Sequence, residues 1–278
     1  MNQIEKAQAF QQLHLGPRIL VIANAWDAAS ARVFEHAGMR AIGTGSAGIA
    51  FSLGYPDNEH IPRDMFLAAT RGIVHAVKVP VTADILTGLG STVDEVVATV
   101  KEVIAFGAVG INMEDGTDDG PRLFDISQQA EKIRAVCAAV RESGVPIVVN
   151  ARTDSFWLKQ GNDTERLRAS IERANRYREA GAHCLFVPAV TDREAIRTLV
   201  AEIDGPLNIL TVPGCPPIAE LEQLGVRRVS EGSGPMRASM MLTRRIAEEL
   251  QLQGTYKRFH DDAIPYAEAN KLFAGDED

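Results

Sequence analysis

One unit recurs along this chain and limits what it can fold into. A short apolar run ends in polar residues, a turn and an amphipathic helical pattern follow, and a glycine closes the unit. The runs are RILVIANAWD, RAIGTGS, VPVTAD, VGINMED, VPIVVNARTD, HCLFVP, LNILTVPG and RRVSEG, eight in all. Apolar runs that alternate with helices predict parallel strands buried on both faces. Gly38, Gly107, Gly144, Gly181 and Gly225 precede five of them, where a left-handed residue ends a helix before the chain turns back.

The helical segments carry their own signals. In STVDEVVATVKEVIAFG, Thr92 and Glu95 have capping-box spacing, and Val93, Val96, Val97, Val100 and Ile104 share one face. Similar helices are predicted at about 28–37, 63–77, 125–143, 164–180, 191–203, 216–223 and 236–252. Eight strands, each followed by a helix, predict an α/β fold of the (β/α)8 TIM-barrel type. The alternative is an open doubly wound sheet, but no GxGxxG follows the first strand. A length of 278 residues suits one barrel domain over 1–278. Beyond the eighth unit, a C-terminal helical extension is expected at about 254–275, with Ile264, Tyr266, Ala267, Ala269, Leu272 and Phe273 apolar. That face must be buried on its own barrel or on a neighbouring subunit.

A net charge of −8 argues against nucleic acid and anionic membrane surfaces as partners. A small anionic substrate remains compatible, because a local arginine overrides the global field. Cys137, Cys184 and Cys215 form no CxxC pair, which predicts a reducing compartment and no disulfide framework. The N-terminal MNQIEKAQAFQQLH is polar and amphipathic, unlike a signal peptide, and no run approaches a membrane span. The expectation is a soluble cytoplasmic protein.

In a (β/α)8 barrel, chemistry sits at the C-terminal ends of the strands. There the runs end in Asn24, Trp26 and Asp27; Thr44, Gly45 and Ser46; Asp84; Glu114 and Asp115; Asn150, Arg152 and Asp154; Thr211; and Ser230 and Glu231. Carboxylates beside an arginine suit a hard divalent cation with an anionic substrate. On this reading Arg152 grips a substrate anion bidentately. The Thr44-Gly45-Ser46 turn offers backbone N–H groups to an oxyanion. Each residue has a plainer reading. Asp84 can be a helix cap, Glu114-Asp115 a solvated loop start, and Arg152 a structural partner of Asp154. The six histidines do not cluster, which disfavours a zinc site or a histidine-based triad. The cysteines read as inert.

NAWDAASARVFEHAG, GTGSAGIAFSLGYPD, VTADILTGLG, GINMEDG, VNARTDSF and VSEGSGPMRAS resemble the ordered motifs of the isocitrate lyase / phosphoenolpyruvate mutase superfamily over about residues 17–240. The resemblance implies a (β/α)8 barrel, Mg²⁺ (or Mn²⁺), a small 2-oxo acid, and a homo-oligomer, a dimer or a tetramer with a swapped helix. Carried over, Asp84 and Glu114 are the metal residues and Asp57 orients metal-bound water. Thr44, Gly45, Ser46 and Trp26 bind substrate, and Arg152 contacts it. Two departures stand out. Many members carry a second acid where this chain has Leu86, and an aromatic residue where it has Leu89. Losing an acid near a metal typically lowers affinity about 10–100-fold. After the fourth strand the chain reads EDGTDDGPRLFD, without the Cys and His of the isocitrate and methylisocitrate lyases or the Lys and Asn of the phosphonate enzymes. The implied function is a Mg²⁺-dependent carbon–carbon lyase on a small 2-oxo or 2-hydroxy dicarboxylate, such as an oxaloacetate-decarboxylase-like activity releasing pyruvate. The alternatives are a phosphonate P–C bond enzyme and a catalytically reduced 2-oxo-acid-binding protein.

Overall fold

The computed structural model describes residues 1–57, 60–117, 120, 122–261 and 263–274. Asp118, Asp119 and Pro121 of the loop after the fourth strand, and the end of the tail from residue 275, lie outside the described residues. Eight parallel strands close into a barrel in sequence order. They are β1 Leu20–Ala25, β2 Ile42–Thr44, β3 Val81–Asp84, β4 Gly110–Met113, β5 Val148–Arg152, β6 Cys184–Val187, β7 Leu207–Leu210 and β8 Arg228–Ser230. The helices are α1 Gln3–Leu15, α2 Ala28–His36, α3 Ser46–Ser52, α4 Arg63–Ala76, α5 Val93–Ala105, α6 Ile126–Ser143, α7 Asp163–Glu179, α8 Arg193–Glu202, α9 Ile218–Leu224, α10 Gly234–Gln253, α11 Lys257–Asp261 and α12 Tyr266–Phe273.

The local signals explain the boundaries. Thr92 and Glu95 form the reciprocal capping box that starts α5. Gly38, Gly107, Gly144, Gly181 and Gly225 all have positive φ after their helices. The buried face of α5 is Val96, Thr99, Val100, Val103 and Ile104, so Thr99 and Val103 join the predicted stripe and Val93 and Val97 leave it.

Three elements differ from the sequence reading. The polar N-terminus is a helix, α1, which lays Ala7, Phe10 and His14 against the barrel floor. The small-residue stretch after β2 is the short helix α3. The tail holds two helices, α11 and α12, and within one chain it leaves Tyr256, Phe259, Ile264, Tyr266 and Phe273 exposed.

The period of the strands decides which residues reach the barrel interior. Val81 and Ala83 of β3 join the apolar layer beneath the helices, whereas Thr82 and Asp84 line the central cavity. Likewise Ile111, Met113, Val149, Ala151 and Val229 face the helices, and Asn112, Arg152, Arg228 and Ser230 face the cavity. The apolar runs are therefore interrupted on the inner face by polar residues. The floor is shut by Phe10, which is fully buried. It fits because β4 has a glycine there. A Cβ on Gly110 would stand 2.7 Å from Phe10 Cε1 and 2.7 Å from Thr82 Oγ1. Gly110→Ala is expected to cost about 1–3 kcal/mol by overpacking. Phe10→Leu in the same chain should return part of that loss, because the two sites share one volume. Chemical denaturation of the four variants of this cycle measures both effects, and an unchanged midpoint for Gly110→Ala would contradict the plug.

Candidate active site

At the C-terminal ends of the strands lies a cavity of about 240 Å³. Thr44, Gly45, Ser46, Asp57, Asp84, Glu114 and Arg152 all line it. Trp26 is not among its lining residues. Its ring stands edge-on to Phe34 at 6.3 Å, and its Cβ fills the space that a side chain on Gly48 would need. Trp26 thus packs α3 against the barrel, and the substrate-contacting role expected of it has no geometric support.

Asp84 is not the cap of the helix that follows it, since Thr92 caps α5. Its Oδ2 accepts the Ser46 amide at 3.2 Å. Its Oδ1 accepts the Leu86 amide at 3.3 Å and Asn112 Nδ2 at 3.2 Å. Its own amide donates to Thr44 Oγ1 at 2.9 Å. The ends of β2, β3 and β4 are therefore tied through this one residue. Asn24 does the same for β1, β2 and β8, donating to the Thr44 carbonyl and accepting from the Glu231 and Gly232 amides at 2.8–2.9 Å.

The oxyanion donors differ from those expected. The Gly45 amide donates to the Ala25 carbonyl at 3.0 Å, and the Ser46 amide is spent on Asp84. Ser46 lines the cavity at the start of α3, so its hydroxyl and the next amides of that helix are the donors left for a ligand.

Arg152 also differs. Its Nε and Nη2 edge is held by Asp154, at 2.6 and 3.2 Å, and its Nη1 pairs with Glu114. The edge expected to grip a substrate carboxylate is already on a carboxylate of the protein. Burial works against the charged arginine, but Asp154, Glu114 and Asp84 outweigh it and hold its pKa above the ordinary value. Burial also pushes the Glu114 carboxyl well up, and Asp154, Asp84 and Asp57 add to that against the opposing pull of Arg152. Asp154 is shifted up by burial too, with Asp115 and Asp84 contributing.

Asp115, next in sequence to Glu114, faces elsewhere. It is completely buried and accepts Tyr177 Oη at 2.6 Å, Arg173 Nη1 at 3.1 Å and the Asp154 amide at 2.8 Å. Asp27 caps α2, accepting the Ser30 amide at 2.7 Å. Cys137 and Cys184 are buried and their thiols are pushed up to about 11, consistent with inert packing.

The charge of the cavity wall is informative. Among the described residues, Asp57, Asp84, Glu114, Asp154 and Glu231 line it against Arg152, Arg228 and Arg237, an excess of two formal negative charges. No histidine, lysine or cysteine among the described residues lines it. Among the described residues, no three acidic, imidazole or thiol side chains converge into an all-protein metal cage. A set of one or two carboxylates with room for water suits Mg²⁺, which usually keeps several waters. Burial is the main cause of the raised Glu114 carboxyl, and the repulsion from Asp154, Asp84 and Asp57 that adds to it is what a divalent cation would relieve, so the residues fit such an ion. Leu86 stands where an acid was expected and has a left-handed φ of 55°. Its carbonyl accepts the Glu114 amide at 2.9 Å, so its main chain still positions the site. Its side chain is one of the apolar groups that line the cavity, with Phe186, Leu210, Trp157 and Leu158.

The sequence reading did not include Arg228, Arg237, Trp157, Phe186 or Leu210 in the site. Alternation alone could have found Arg228, which lies two residues before Ser230 on the same face of β8.

The profile of the phosphoenolpyruvate phosphomutase family matches residues 10–251. This chain belongs to the isocitrate lyase / phosphoenolpyruvate mutase superfamily. As a superfamily member it is 35% identical to an uncharacterized protein of Mycobacterium tuberculosis over 94% of both chains. It is 30% identical to the 2-methylisocitrate lyase of Escherichia coli, over 94% of this chain and 90% of the relative. A solved structure from Burkholderia cenocepacia, provisionally assigned as a lyase/mutase, superposes with a TM-score of 0.91 at 34% identity, covering 99% of this chain and 97% of the other. A second from the same organism, provisionally assigned as a phosphonomutase, gives 0.85 at 36% identity, covering 88% and 99%. The named superfamily relatives are lyases and mutases, which supports a lyase-type enzyme here. No helix among the described residues is long and apolar enough to cross a membrane.

Proposed function

We propose that this protein is a Mg²⁺-dependent carbon–carbon lyase acting on a small 2-oxo or 2-hydroxy dicarboxylate, with oxaloacetate-decarboxylase-like chemistry as its simplest form. The observation that carries this reading is the convergence of Asp57, Asp84 and Glu114 with Ser46 in one small cavity whose wall has excess negative charge. Asp84 and Glu114 are the residues that would hold the ion (Mg²⁺, or Mn²⁺ in its place), which would supply positive charge against an oxyanion developing next to a breaking bond.

The chain's own residues do the rest. The Ser46 hydroxyl and the first turn of α3 orient the pyruvoyl carboxylate. Asp84 is pre-aimed by three hydrogen bonds, so it need not reorganise when the ion binds. Asp57 orients water at the mouth. Arg152, clamped by Glu114 and Asp154, fixes the direction of Glu114 and offers its remaining N–H groups to substrate. Because no cysteine or histidine among the described residues lines the cavity, the proton returned to carbon comes from water or a carboxylic acid, which a decarboxylation tolerates. The reading takes the protein as a homo-oligomer whose exposed tail residues are covered by another copy.

The similarity to a provisional phosphonomutase keeps P–C bond chemistry as a second reading. Calorimetry of oxalate and pyruvate with and without Mg²⁺, followed by a pyruvate-release assay on 2-oxo and 2-hydroxy diacids and phosphonopyruvate, tests both. Oxalate binding that requires Mg²⁺, with release of pyruvate from a carboxylic diacid, is the expected result. Turnover of phosphonopyruvate alone would move the assignment to the second reading. Tight oxalate binding with no turnover would make the protein a 2-oxo-acid binder.

A further inference from the structure

Deep in the same cavity sits a cation that the proposed chemistry has not used. Arg228 on β8 lines the cavity and is only 3% exposed. Among the described residues it makes no ion pair, and its Nε has no hydrogen-bond partner. One side of its guanidinium is fixed. His14 Nδ1 lies 2.8 Å from the Phe10 carbonyl, so that nitrogen carries the proton, and Nε2 is left as an acceptor 3.4 Å from Arg228 Nη1. The guanidinium carbon stands 5.9 Å from the centre of the Phe10 ring. Burial keeps His14 neutral, with its pKa near 3, so it serves as an acceptor and adds no repelling charge.

Thr82 is the second such group. It is 2% exposed and lines the same cavity, and its Oγ1 has no hydrogen-bond partner among the described residues. It neighbours the Gly110 position that Phe10 fills, so both unsatisfied groups border the same plug. Burial disfavours the Arg228 charge, and Cys184 and the Asp84 carboxylate offset that only in part. For a buried guanidinium without a paired anion, the usual compensation is an anion held in good geometry. Arg152 cannot supply that grip, since Asp154 and Glu114 hold it.

We infer that Arg228 and Thr82 form an anion subsite on the cavity floor that receives the second carboxylate of the substrate. The inference rests on the diacid reading above and deepens it. It makes Arg228 the residue that separates diacids from monoacids. A bidentate Nε and Nη2 edge suits a carboxylate, and the Thr82 hydroxyl adds a neutral donor. A free oxyanion from solution offers the same chemistry, and the test separates the two sources.

The test compares malate with lactate, two 2-hydroxy acids that differ by one carboxylate group, titrated into the Mg²⁺-loaded full chain. The wild type should bind malate more tightly. Arg228→Met should lose malate affinity by at least about tenfold, as expected when a charge-assisted pair is removed. Lactate affinity should stay within about threefold, because lactate has no group to reach the floor. Arg228→Lys should recover part of the loss, and Thr82→Val should lower malate affinity alone. Thr82→Val keeps the buried shape, so it reads the subsite even if Arg228→Met fails to fold. Equal losses for both ligands, or no loss for malate, would overturn the inference. If neither acid binds the wild type, the diacid reading fails by itself. Thermal melting in sodium sulfate then decides the subsite. A rise in wild type that is absent in Arg228→Met assigns it to solution anions, and the same rise in both removes it.

Discussion

Asp84→Asn abolishes Mg²⁺-dependent oxalate binding in a barrel that still folds: this is the largest functional effect expected. The carboxylate accepts from the Ser46 and Leu86 amides and from Asn112 Nδ2. Asparagine keeps the shape but turns one oxygen into an NH₂ group. Whichever way the amide sits, a donor then faces a donor, and the negative charge that would attract the ion is gone. Losing a partner that merely orients a metal site costs about 10–100-fold in affinity, so loss of a direct ligand should cost at least about 100-fold. Calorimetry with and without Mg²⁺ measures it, beside a melting curve to show that the fold persists. Oxalate affinity within threefold of wild type would mean that Asp84 only ties strand ends together.

The largest effect on stability is expected one residue beyond Glu114. Asp115→Ala strands three donors at once: the buried Tyr177 Oη and Asp154 amide and the partly buried Arg173 Nη1. The partly buried arginine loses its carboxylate partner, and since breaking a fully buried pair typically costs about 3–5 kcal/mol, the loss here should approach the lower end of that range. For a chain of this size that is a fall in melting temperature on the order of 10 °C. Asp115→Asn keeps an acceptor and should lose less. Because the Asp154 amide hangs on Asp115, and Asp154 in turn holds Arg152, a folded Asp115 variant should also bind oxalate less well. A melting temperature within 2 °C of wild type would show that the network contributes nothing.

These two acids and Glu114 mark where sequence reading reaches its limit. All three end apolar runs, and nothing local tells a cavity-facing carboxylate from one that anchors a helix. Asp27 is the simplest case, because a carboxylate just before a helical pattern is a cap by its spacing, and so it is. Glu114 and Asp115 are adjacent, so consecutive Cβ atoms leave the strand end in opposite directions. Arg173, the partner that makes Asp115 structural, comes from α7, far along the chain. Arg152 illustrates the same limit. The residues offered both a substrate anion and Asp154 as its bidentate acceptor, and only the structure chose Asp154 from its own strand end.

What the sequence by itself determined is everything that repeats: eight strands and their helices, the glycine stops, the Thr92 cap, and hence the barrel and the end of it that holds the chemistry. Those signals are local, since helix and strand periods and left-handed turns are set by residues a few positions apart. Only the tertiary structure decided which residues meet inside. It placed Phe10 of the first helix under the barrel, left Arg228 Nε and Thr82 Oγ1 without hydrogen-bond partners among the described residues, and kept Trp26 out of the cavity lining. The physical reason is that burial and partner choice at a barrel mouth depend on segments brought together by closure of the sheet. The pairing of β1 with β8 that completes that closure joins the two ends of the barrel sequence.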